Sequence, residues 1–180
     1  IQSFGNVSQR ISQDLFVIKP SGVNLKKIKS NDLVTVEIST GKIIKSKFKP
    51  SSDTETHRVL YKTYPKIQGI AHSHTIFLTS WAQAGKSIPN LGTTHSDYWQ
   101  KDIPITKELK KFEIKKNYEL NTGKAIVRTL KQKKLNPDFS PGVLTRYHGA
   151  FSWGSSCNEA VKNLEAMEFI AELAFYTSII

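Results

Sequence analysis

The sequence predicts a single α/β domain in which a central, mainly antiparallel β-sheet packs against α-helices. Over the first fifty residues, apolar and polar side chains alternate in short bursts, as half-buried strands joined by turns require. Beyond them, apolar residues recur mostly at helical spacing, and the element order is strands, helix, strand, helix, long loop, helix, strand pair, helix. Because the early strands cluster in the chain, this order favours an antiparallel sheet over a doubly wound parallel one.

The first four strands are predicted from this alternation and from the turns between them. Pro20-Ser21-Gly22 and Ser39-Thr40-Gly41 supply the residue types that tight turns need. Short connections of this kind favour antiparallel pairing. The predicted strands are Gly5–Ile11, Leu15–Lys19, Leu33–Ile38 and Lys42–Phe48.

The remaining elements are predicted from helical periodicity and from helix start and stop signals. Hydroxyl and carboxylate side chains of residues 51–56 precede Val59, Leu60 and Tyr64, which share one helical face, and Pro65 ends that helix. The later predicted elements are a strand Gln68–Ser73, a helix Thr75–Ala84 closed by Gly85, a helix Thr122–Leu135 ended by Asn136-Pro137, strands Gly142–Tyr147 and Ala150–Trp153, and a long amphipathic helix after Ser155-Ser156.

Length and composition bound the class of protein. A chain of 180 residues suits one domain over residues 1–180. A hydrophobic content of 38% with ten glycines and seven prolines excludes disordered, collagenous and coiled-coil classes. The single cysteine, Cys157, excludes an internally disulfide-bonded scaffold. No apolar stretch is long enough to span a bilayer, so we expect a soluble cytoplasmic protein without a membrane partner.

The charge balance raises the question of a polyanionic partner. Lysine and arginine number 26 against 15 acidic residues, which gives a formal net charge of +11. Such an excess is typical of nucleic-acid-binding modules. The basic residues are nevertheless spread along the chain, on polar helix faces and hairpin edges, without the regular aromatic residues of a base-stacking surface. We therefore expect no nucleic-acid partner, and a basic nucleic-acid-binding module is only a remote alternative.

Three histidines form a candidate metal site. In His72-Ser73-His74, on a predicted strand, residues i and i+2 point to the same face, so both imidazoles can reach one ion. Catalytic zinc sites commonly take three protein ligands, and His148 is the natural third because Gly149 beside it permits close backbone approach. The alternative is that His72 and His74 are ordinary, partly exposed strand residues.

Small polar residues near predicted turns form a candidate anion pocket. Asp53 can serve either as an N-cap of the helix that follows it or as a carboxylate ligand of the same metal. Ser51 and Ser52 stand at that helix start, where free N–H groups and the helix dipole favour a phosphate. Gly5-Asn6 and Ser21-Gly22 are further turn-like segments with small polar groups. Each is an ordinary turn by itself, and together they predict a phosphate pocket.

Seven sequence blocks together resemble the class II aldolase family, and within it the epimerases that act at C4 of a pentulose phosphate. The resemblance covers nearly the whole chain in the same order. The blocks are Gly5-Asn6-Val7-Ser8, Lys19-Pro20-Ser21-Gly22-Val23, Lys49-Pro50-Ser51-Ser52-Asp53-Thr54, His72-Ser73-His74, Trp81-Ala82-Gln83-Ala84-Gly85, Gly92-Thr93-Thr94-His95-Ser96-Asp97-Tyr98 and His148-Gly149-Ala150-Phe151-Ser152-Trp153-Gly154.

The resemblance implies a three-layer fold and assigns roles to single residues. It implies that a divalent metal, zinc or another, is bound by three histidines with a carboxylate beside them, and that small residues hold the phosphate of a sugar phosphate. Glu119 also matches an acidic residue of the family, without a defined role. The implied metal ligands are His72, His74, His148 and Asp53, the implied phosphate-binding residues are Gly5, Asn6, Ser21, Gly22, Ser51 and Ser52, and Asp97 is the implied catalytic acid/base.

The implied reaction is the interconversion of L-ribulose 5-phosphate and D-xylulose 5-phosphate by cleavage and re-formation of the C3–C4 bond. A sugar-phosphate aldolase of the L-fuculose-phosphate type is the alternative within the family; Asp53 and the block Thr94-His95-Ser96-Asp97 favour the epimerase. Pathways of arabinose, ascorbate and gulonate catabolism share this chemistry, so the sequence does not distinguish them.

The resemblance also implies a homotetramer with the active site at a subunit interface. In the family, a tyrosine in a C-terminal segment of the neighbouring subunit supplies a second catalytic group. We expect that segment and an N-terminal helix to be missing from residues 1–180.

Overall fold

A computed structural model describes residues 5–180, which form seven β-strands in one sheet. The strand order is β4-β3-β2-β1-β5-β7-β6, and each neighbouring pair is antiparallel. The prediction of a central, mainly antiparallel sheet is confirmed. The strands are β1 (Asn6–Arg10), β2 (Leu15–Ile18), β3 (Val34–Glu37), β4 (Ile43–Lys45), β5 (Gly69–Ser73), β6 (Gly142–Thr145) and β7 (Gly149–Gly154).

Four of the six α-helices in the described part of the chain cover the two faces of this sheet. Buried side chains of α1 and α5, such as Leu60 and Ile126, pack on one face, and those of α2 and α6, such as Leu78 and Met167, pack on the other. Full burial of each such side chain contributes about 1.5–3 kcal/mol. The predicted three-layer architecture is therefore confirmed. The helices are α1 (Thr54–Thr63), α2 (Ile76–Ala84), α3 (Thr93–Ser96), α4 (Lys111–Lys115), α5 (Tyr118–Gln132) and α6 (Cys157–Thr177).

The pairing of the central strands gathers one edge of the sheet into a site. Asn6 at the start of β1 lies opposite His72 near the end of β5, and His72 lies opposite Phe151 of β7. Because the strands alternate in direction, the end of β5 meets the starts of β1 and β7. The segments that enter or leave the sheet here carry most of the predicted site residues.

Four elements differ from the sequence prediction. Strand β4 covers only Ile43–Lys45, because a Ser46 side chain that binds Phe48 N at 2.8 Å forms a turn there. Helices α3 and α4 lie within the predicted long loop. Helix α5 begins at Tyr118 rather than Thr122, and the residue before it, Asn117, has a left-handed backbone with φ of 60°.

Among residues 5–180, no helix has both the length and the apolar character that crossing a bilayer requires.

Candidate active site

The three predicted histidine ligands meet at the edge of the sheet. One nitrogen from each of His72, His74 and His148 lies within 4.8 Å of the other two. The Nε2 atoms of His72 and His74 are 2.9 Å apart. His72 is buried, His148 is half-buried and His74 is exposed, so the cluster opens to solvent on one side.

Gly149 makes this close approach sterically feasible. A Cβ atom at this position would lie 2.6 Å from the carbonyl oxygen of Ser73 and 3.0 Å from Cδ2 of His74. Before it, the β6–β7 turn is held by a hydrogen bond from His148 N to the Thr145 carbonyl (3.0 Å). The glycine expected beside His148 is thus required by the packing of β5 against β7.

Hydrogen bonding fixes the chemical form of His72. Its Nδ1 donates to the carbonyl oxygen of Ala150 at 2.8 Å, which leaves the lone pair on Nε2, the atom that faces the cluster. The ring stacks on Phe151 with centroids 4.2 Å apart. Burial, with further contributions from His148 and His74, lowers the pKa of His72 well below its usual value. His72 is therefore a neutral imidazole, the form that binds metals.

His148 is held by a residue that the sequence did not indicate. The hydroxyl of Tyr118, the first residue of α5, lies 3.1 Å from Nδ1 of His148. Burial lowers the pKa of His148; the charge of Asp53 opposes this shift and His74 adds to it. The sequence pattern did not indicate Tyr118 because the predicted helix began four residues later, at Thr122.

The side chain of Asp53 is directed to the histidines and does not cap the helix. Its backbone occupies the N-cap position of α1, but its carboxylate makes no capping hydrogen bond. Oδ2 instead accepts a hydrogen bond of 2.7 Å from Nδ2 of Asn6 and lies 3.8 Å from Nε2 of His72. The carboxylate is buried and faces the histidine cluster.

The predicted phosphate-binding segments lie side by side next to this cluster. Ser21 N donates to the Lys49 carbonyl (2.9 Å) and Ser51 N to the Lys19 carbonyl (3.1 Å), so that residues 19–22 and 49–52 are paired. Gly22 has a φ of +71°, which a glycine adopts without strain. Ser21, Gly22 and Ser52 are exposed, whereas Ser51 is buried.

Two residues of this region have roles that their sequence positions did not reveal. Gly5 has a φ of +93°, and a Cβ there would lie 2.7 Å from the carbonyl oxygen of His72, so this glycine is needed for β1 to reach β5. Lys19 is only 3% exposed, and its Nζ donates to the Pro20 carbonyl at 3.3 Å. Burial lowers the pKa of Lys19, which is a cation beside the predicted phosphate pocket.

Asp97 lies at the other end of the sheet. It is exposed at the end of α3 and lines a cleft of about 550 Å³ together with Gly154 and Ser155. Strand pairing places Gly154 opposite Gly69, four residues before Ser73, a distance of about 13 Å along the strand. Asp97 and the histidines are therefore not brought together within one chain.

Glu119 follows Tyr118 directly, and its carbonyl accepts a hydrogen bond from Thr56.

The donor set fits a divalent metal. Zinc–nitrogen bonds of 2.0–2.1 Å in a tetrahedral site put ligand nitrogens about 3.4 Å apart. The Nε2 atoms of His72 and His74 are 2.9 Å apart, and a nitrogen of His148 lies within 4.8 Å of both. Neutral imidazoles with an adjacent carboxylate are ligands that zinc prefers. Oδ1 of Asn6, next to Asp53, is buried without a hydrogen-bond partner among residues 5–180, so this side of the site offers an acceptor to a polar group.

The sequence of residues 2–175 matches the family described as Class II Aldolase and Adducin N-terminal domain. The chain belongs to the class II aldolase family. It is 45% identical over 174 residues to L-ribulose-5-phosphate 4-epimerase UlaF of Salmonella paratyphi B, an alignment that spans 96% of this chain and 75% of the relative.

Solved structures of the class II aldolase family share the fold. An L-fuculose 1-phosphate aldolase superimposes with a TM-score of 0.80 at 24% identity, covering 98% of this chain and 76% of the other. The L-fuculose-1-phosphate aldolase from Thermus thermophilus gives a TM-score of 0.76 at 21% identity, covering 99% and 86%. These likenesses establish the architecture of this class II aldolase domain.

Proposed function

We propose that this class II aldolase domain is a metal-dependent L-ribulose-5-phosphate 4-epimerase. The observation that carries the proposal is the buried carboxylate of Asp53 facing three clustered histidines, in a chain 45% identical to an enzyme of that name. Zinc as the metal, a homotetramer, a cytoplasmic location and a role in pentulose-phosphate catabolism are part of the proposal and rest on the family resemblance.

The chemistry requires carbon–carbon cleavage because the hydrogen on C4 of the substrate is not acidic. A divalent metal held by the three histidines, with Asp53 beside them, would supply Lewis-acid stabilisation of the negative charge that develops when the C3–C4 bond breaks. His72 contributes by presenting Nε2 in a fixed direction, since its Nδ1 is committed to Ala150. Re-addition to the opposite face of the aldehyde then inverts C4.

Residues 19–22 and 49–52 would hold the phosphate throughout the reaction. Ser21, Gly22 and Ser52 are the exposed residues of these paired segments. The N-terminus of α1 would direct its free N–H groups toward the bound phosphate. Lys19 adds a buried positive charge beside them. Retaining the two-carbon aldehyde by its phosphate keeps it from leaving while it rotates before re-addition.

Asp97 would serve the active site of a neighbouring subunit. Its position at the far end of the sheet separates it from the histidines of its own chain. Inversion needs a proton-transferring group on each face of C4, because the hydroxyl proton leaves on one face and returns on the other. An interface that joins the Asp97 cleft of one protomer to the histidine cluster of the next would provide one of these groups.

An assay with and without a chelator tests the proposed reaction. We expect turnover of L-ribulose 5-phosphate to D-xylulose 5-phosphate, loss of turnover after chelation, and recovery after addition of zinc. Release of dihydroxyacetone phosphate from L-fuculose 1-phosphate without epimerisation would assign the protein to the aldolases instead.

Mixed subunits test the placement of Asp97. Asp97→Asn and His148→Ala should each abolish activity as pure proteins. If Asp97 acts across an interface, equal amounts of the two variants unfolded and refolded together should regain activity in about one quarter of their sites. Random assembly gives that fraction because one site in four combines an intact histidine cluster of one subunit with an intact Asp97 of the other. No recovery in a mixture that assembles normally would contradict action across the interface.

A further inference from the structure

Two histidines of the cluster, His72 and His148, differ in how their rings are fixed. The ring of His72 is held by the backbone, through Ala150, and by stacking on Phe151. His148 instead precedes β7, in a turn whose neighbouring residue Tyr147 has a left-handed φ of 64°. The hydrogen-bond partner of Nδ1 of His148 is a side chain, the hydroxyl of Tyr118 at 3.1 Å.

With Nδ1 of His148 engaged by Tyr118, Nε2 is the ring nitrogen left to bind a metal. If Nδ1 carries the proton and donates to the Tyr118 oxygen, the lone pair is on Nε2. The two rings are 5.8 Å apart between centroids, with an angle of 39° between their planes, so the phenol also limits rotation of the imidazole. Partners of this kind at the second nitrogen of a histidine ligand orient the ring and raise its basicity.

Tyr118 is itself held firmly at the start of α5. The Thr122 hydroxyl donates to the Tyr118 carbonyl (3.0 Å), and the Thr56 hydroxyl of α1 donates to the carbonyl of Glu119 (2.7 Å). At Gly123 the two helices are so close that a Cβ would lie 2.8 Å from Cβ of Val59. The helix that carries Tyr118 is therefore fixed to the helix that begins after Asp53.

We infer that Tyr118 is a positioning residue of the proposed metal centre, whose hydroxyl holds His148 in the tautomer and orientation that present Nε2 to the metal. The inference rests on the proposed metal site and adds to it a residue that no sequence block indicated. Asp53 lies at the start of α1, and His148 contacts Tyr118 at the start of α5. Because α1 and α5 are hydrogen-bonded and closely packed, the positions of the carboxylate and the third imidazole are fixed relative to each other.

Tyr147 offers a matched control because it is also a tyrosine beside His148 but has different contacts. Its hydroxyl accepts a hydrogen bond from Nη2 of Arg146 (3.2 Å), and the Arg146 guanidinium lies 5.0 Å from its ring centroid. The side chain is 54% exposed. Removal of its hydroxyl should leave His148 unaffected.

The test compares the zinc affinity of Tyr118→Phe, Tyr147→Phe and the unaltered protein by competition with a chromophoric chelator. We expect the Tyr118 variant to bind zinc about 10- to 100-fold more weakly and the Tyr147 variant to match the unaltered protein. The visible spectrum of bound Co²⁺ should change only in the Tyr118 variant. Equal thermal unfolding of the metal-free proteins would show that the loss concerns the site and not the fold.

Two results would overturn the inference and can be told apart. Equal zinc affinity of Tyr118→Phe and the unaltered protein would refute the role of Tyr118 alone. No zinc binding by the unaltered protein would refute the proposed metal site, and the role of Tyr118 with it.

Discussion

Nδ2 of Asn6 donates a hydrogen bond of 2.7 Å to Oδ2 of Asp53, and this same oxygen lies 3.8 Å from Nε2 of His72. The amide thus orients the carboxylate toward the histidine cluster. The sequence predicted Asn6 as part of the phosphate pocket, and its place in the structure is between that pocket and the proposed metal centre. A buried hydrogen bond to a charged group is worth about 1.5–3 kcal/mol.

Asn6→Ala should therefore impair metal binding. Loss of this donor leaves the Asp53 carboxylate free to turn away, and we expect zinc affinity to fall about tenfold or more. Ser52→Ala is the comparison, because Ser52 is an exposed member of the predicted phosphate pocket. That variant should raise KM for the sugar phosphate at unchanged zinc affinity. A rise in KM with unaltered zinc affinity in Asn6→Ala would place Asn6 in the phosphate pocket alone.

Gly149→Ala should disturb the cluster through crowding between β5 and β7. The added methyl group would lie 2.6 Å from the Ser73 carbonyl oxygen and 3.0 Å from the His74 ring, so the strands must separate. We expect a loss of about 1–3 kcal/mol in the free energy of unfolding, and weaker zinc binding. Urea unfolding and chelator competition measure the two effects.

Gly92→Ala is the control for this substitution, since a Cβ at Gly92 would meet no atom within 4 Å. Its free energy of unfolding should stay within about 0.5 kcal/mol of the unaltered protein. Equal free energies of unfolding for Gly149→Ala and Gly92→Ala would show that β5 and β7 can move apart to accommodate a methyl group at almost no cost.

Local patterns were sufficient to predict most of the fold and the centre of the site. Alternation with a period of two residues locates strands, and the same period places His72 and His74 on one face of β5. Gly149 could be expected next to His148 because a close approach of strands excludes a side chain. These features depend on neighbours in the sequence, so the sequence alone reveals them.

Features that depend on distant parts of the chain could not be predicted. Asn6 and Asp53 are 47 residues apart, and only the fold brings them into contact. The start of α5 was not predicted because Asn117, the residue before it, has a left-handed backbone and makes no capping hydrogen bond. Tyr118, the first residue of α5, was therefore not predicted as part of the site. The distance of Asp97 from the histidines likewise follows from strand direction, which a motif does not record.

Glu168 of α6 should stabilise the helix that follows the histidine pair. Its Oε2 accepts hydrogen bonds from the Thr75 hydroxyl (2.6 Å) and Leu78 N (2.9 Å), and its Oε1 from Phe77 N (3.0 Å). The carboxylate thus satisfies N–H groups at the start of α2. Glu168→Ala should cost about 1–3 kcal/mol in urea unfolding.

The conservative variant and a neighbouring glutamate make this test specific. Glu168→Gln retains one acceptor oxygen and should lose less stability than Glu168→Ala. Glu165→Ala removes an exposed glutamate of the same helix and should leave the free energy of unfolding nearly unchanged. A similar loss in Glu165→Ala and Glu168→Ala would mean that the capping contact contributes little.

His57 should make the protein less stable as the pH falls. The side chain is fully buried in α1, with Nδ1 2.7 Å from the Ser8 hydroxyl. Burial lowers the pKa of His57 to about 3; the charge of Asp53 opposes the shift and His72 adds to it. The unfolded chain binds a proton below its ordinary pKa of about 6.5, while the folded protein does not until about pH 3. Stability attributable to His57 is therefore lost as pH falls from about 6.5 toward 3.

The comparison of His57→Asn with the unaltered protein isolates this contribution, because asparagine retains a polar group near Ser8 but does not titrate. Metal-free samples should be unfolded in urea between pH 5 and 6.5, so that loss of zinc does not contribute. Between pH 6.5 and pH 5 the free energy of unfolding of the unaltered protein should drop by about 1.6 kcal/mol more than that of the variant, since one proton taken up only by the unfolded chain costs at most about 1.36 kcal/mol for each pH unit. Because His72 and His148 are present in both proteins, parallel pH profiles would mean that His57 takes up its proton equally in the folded and unfolded states.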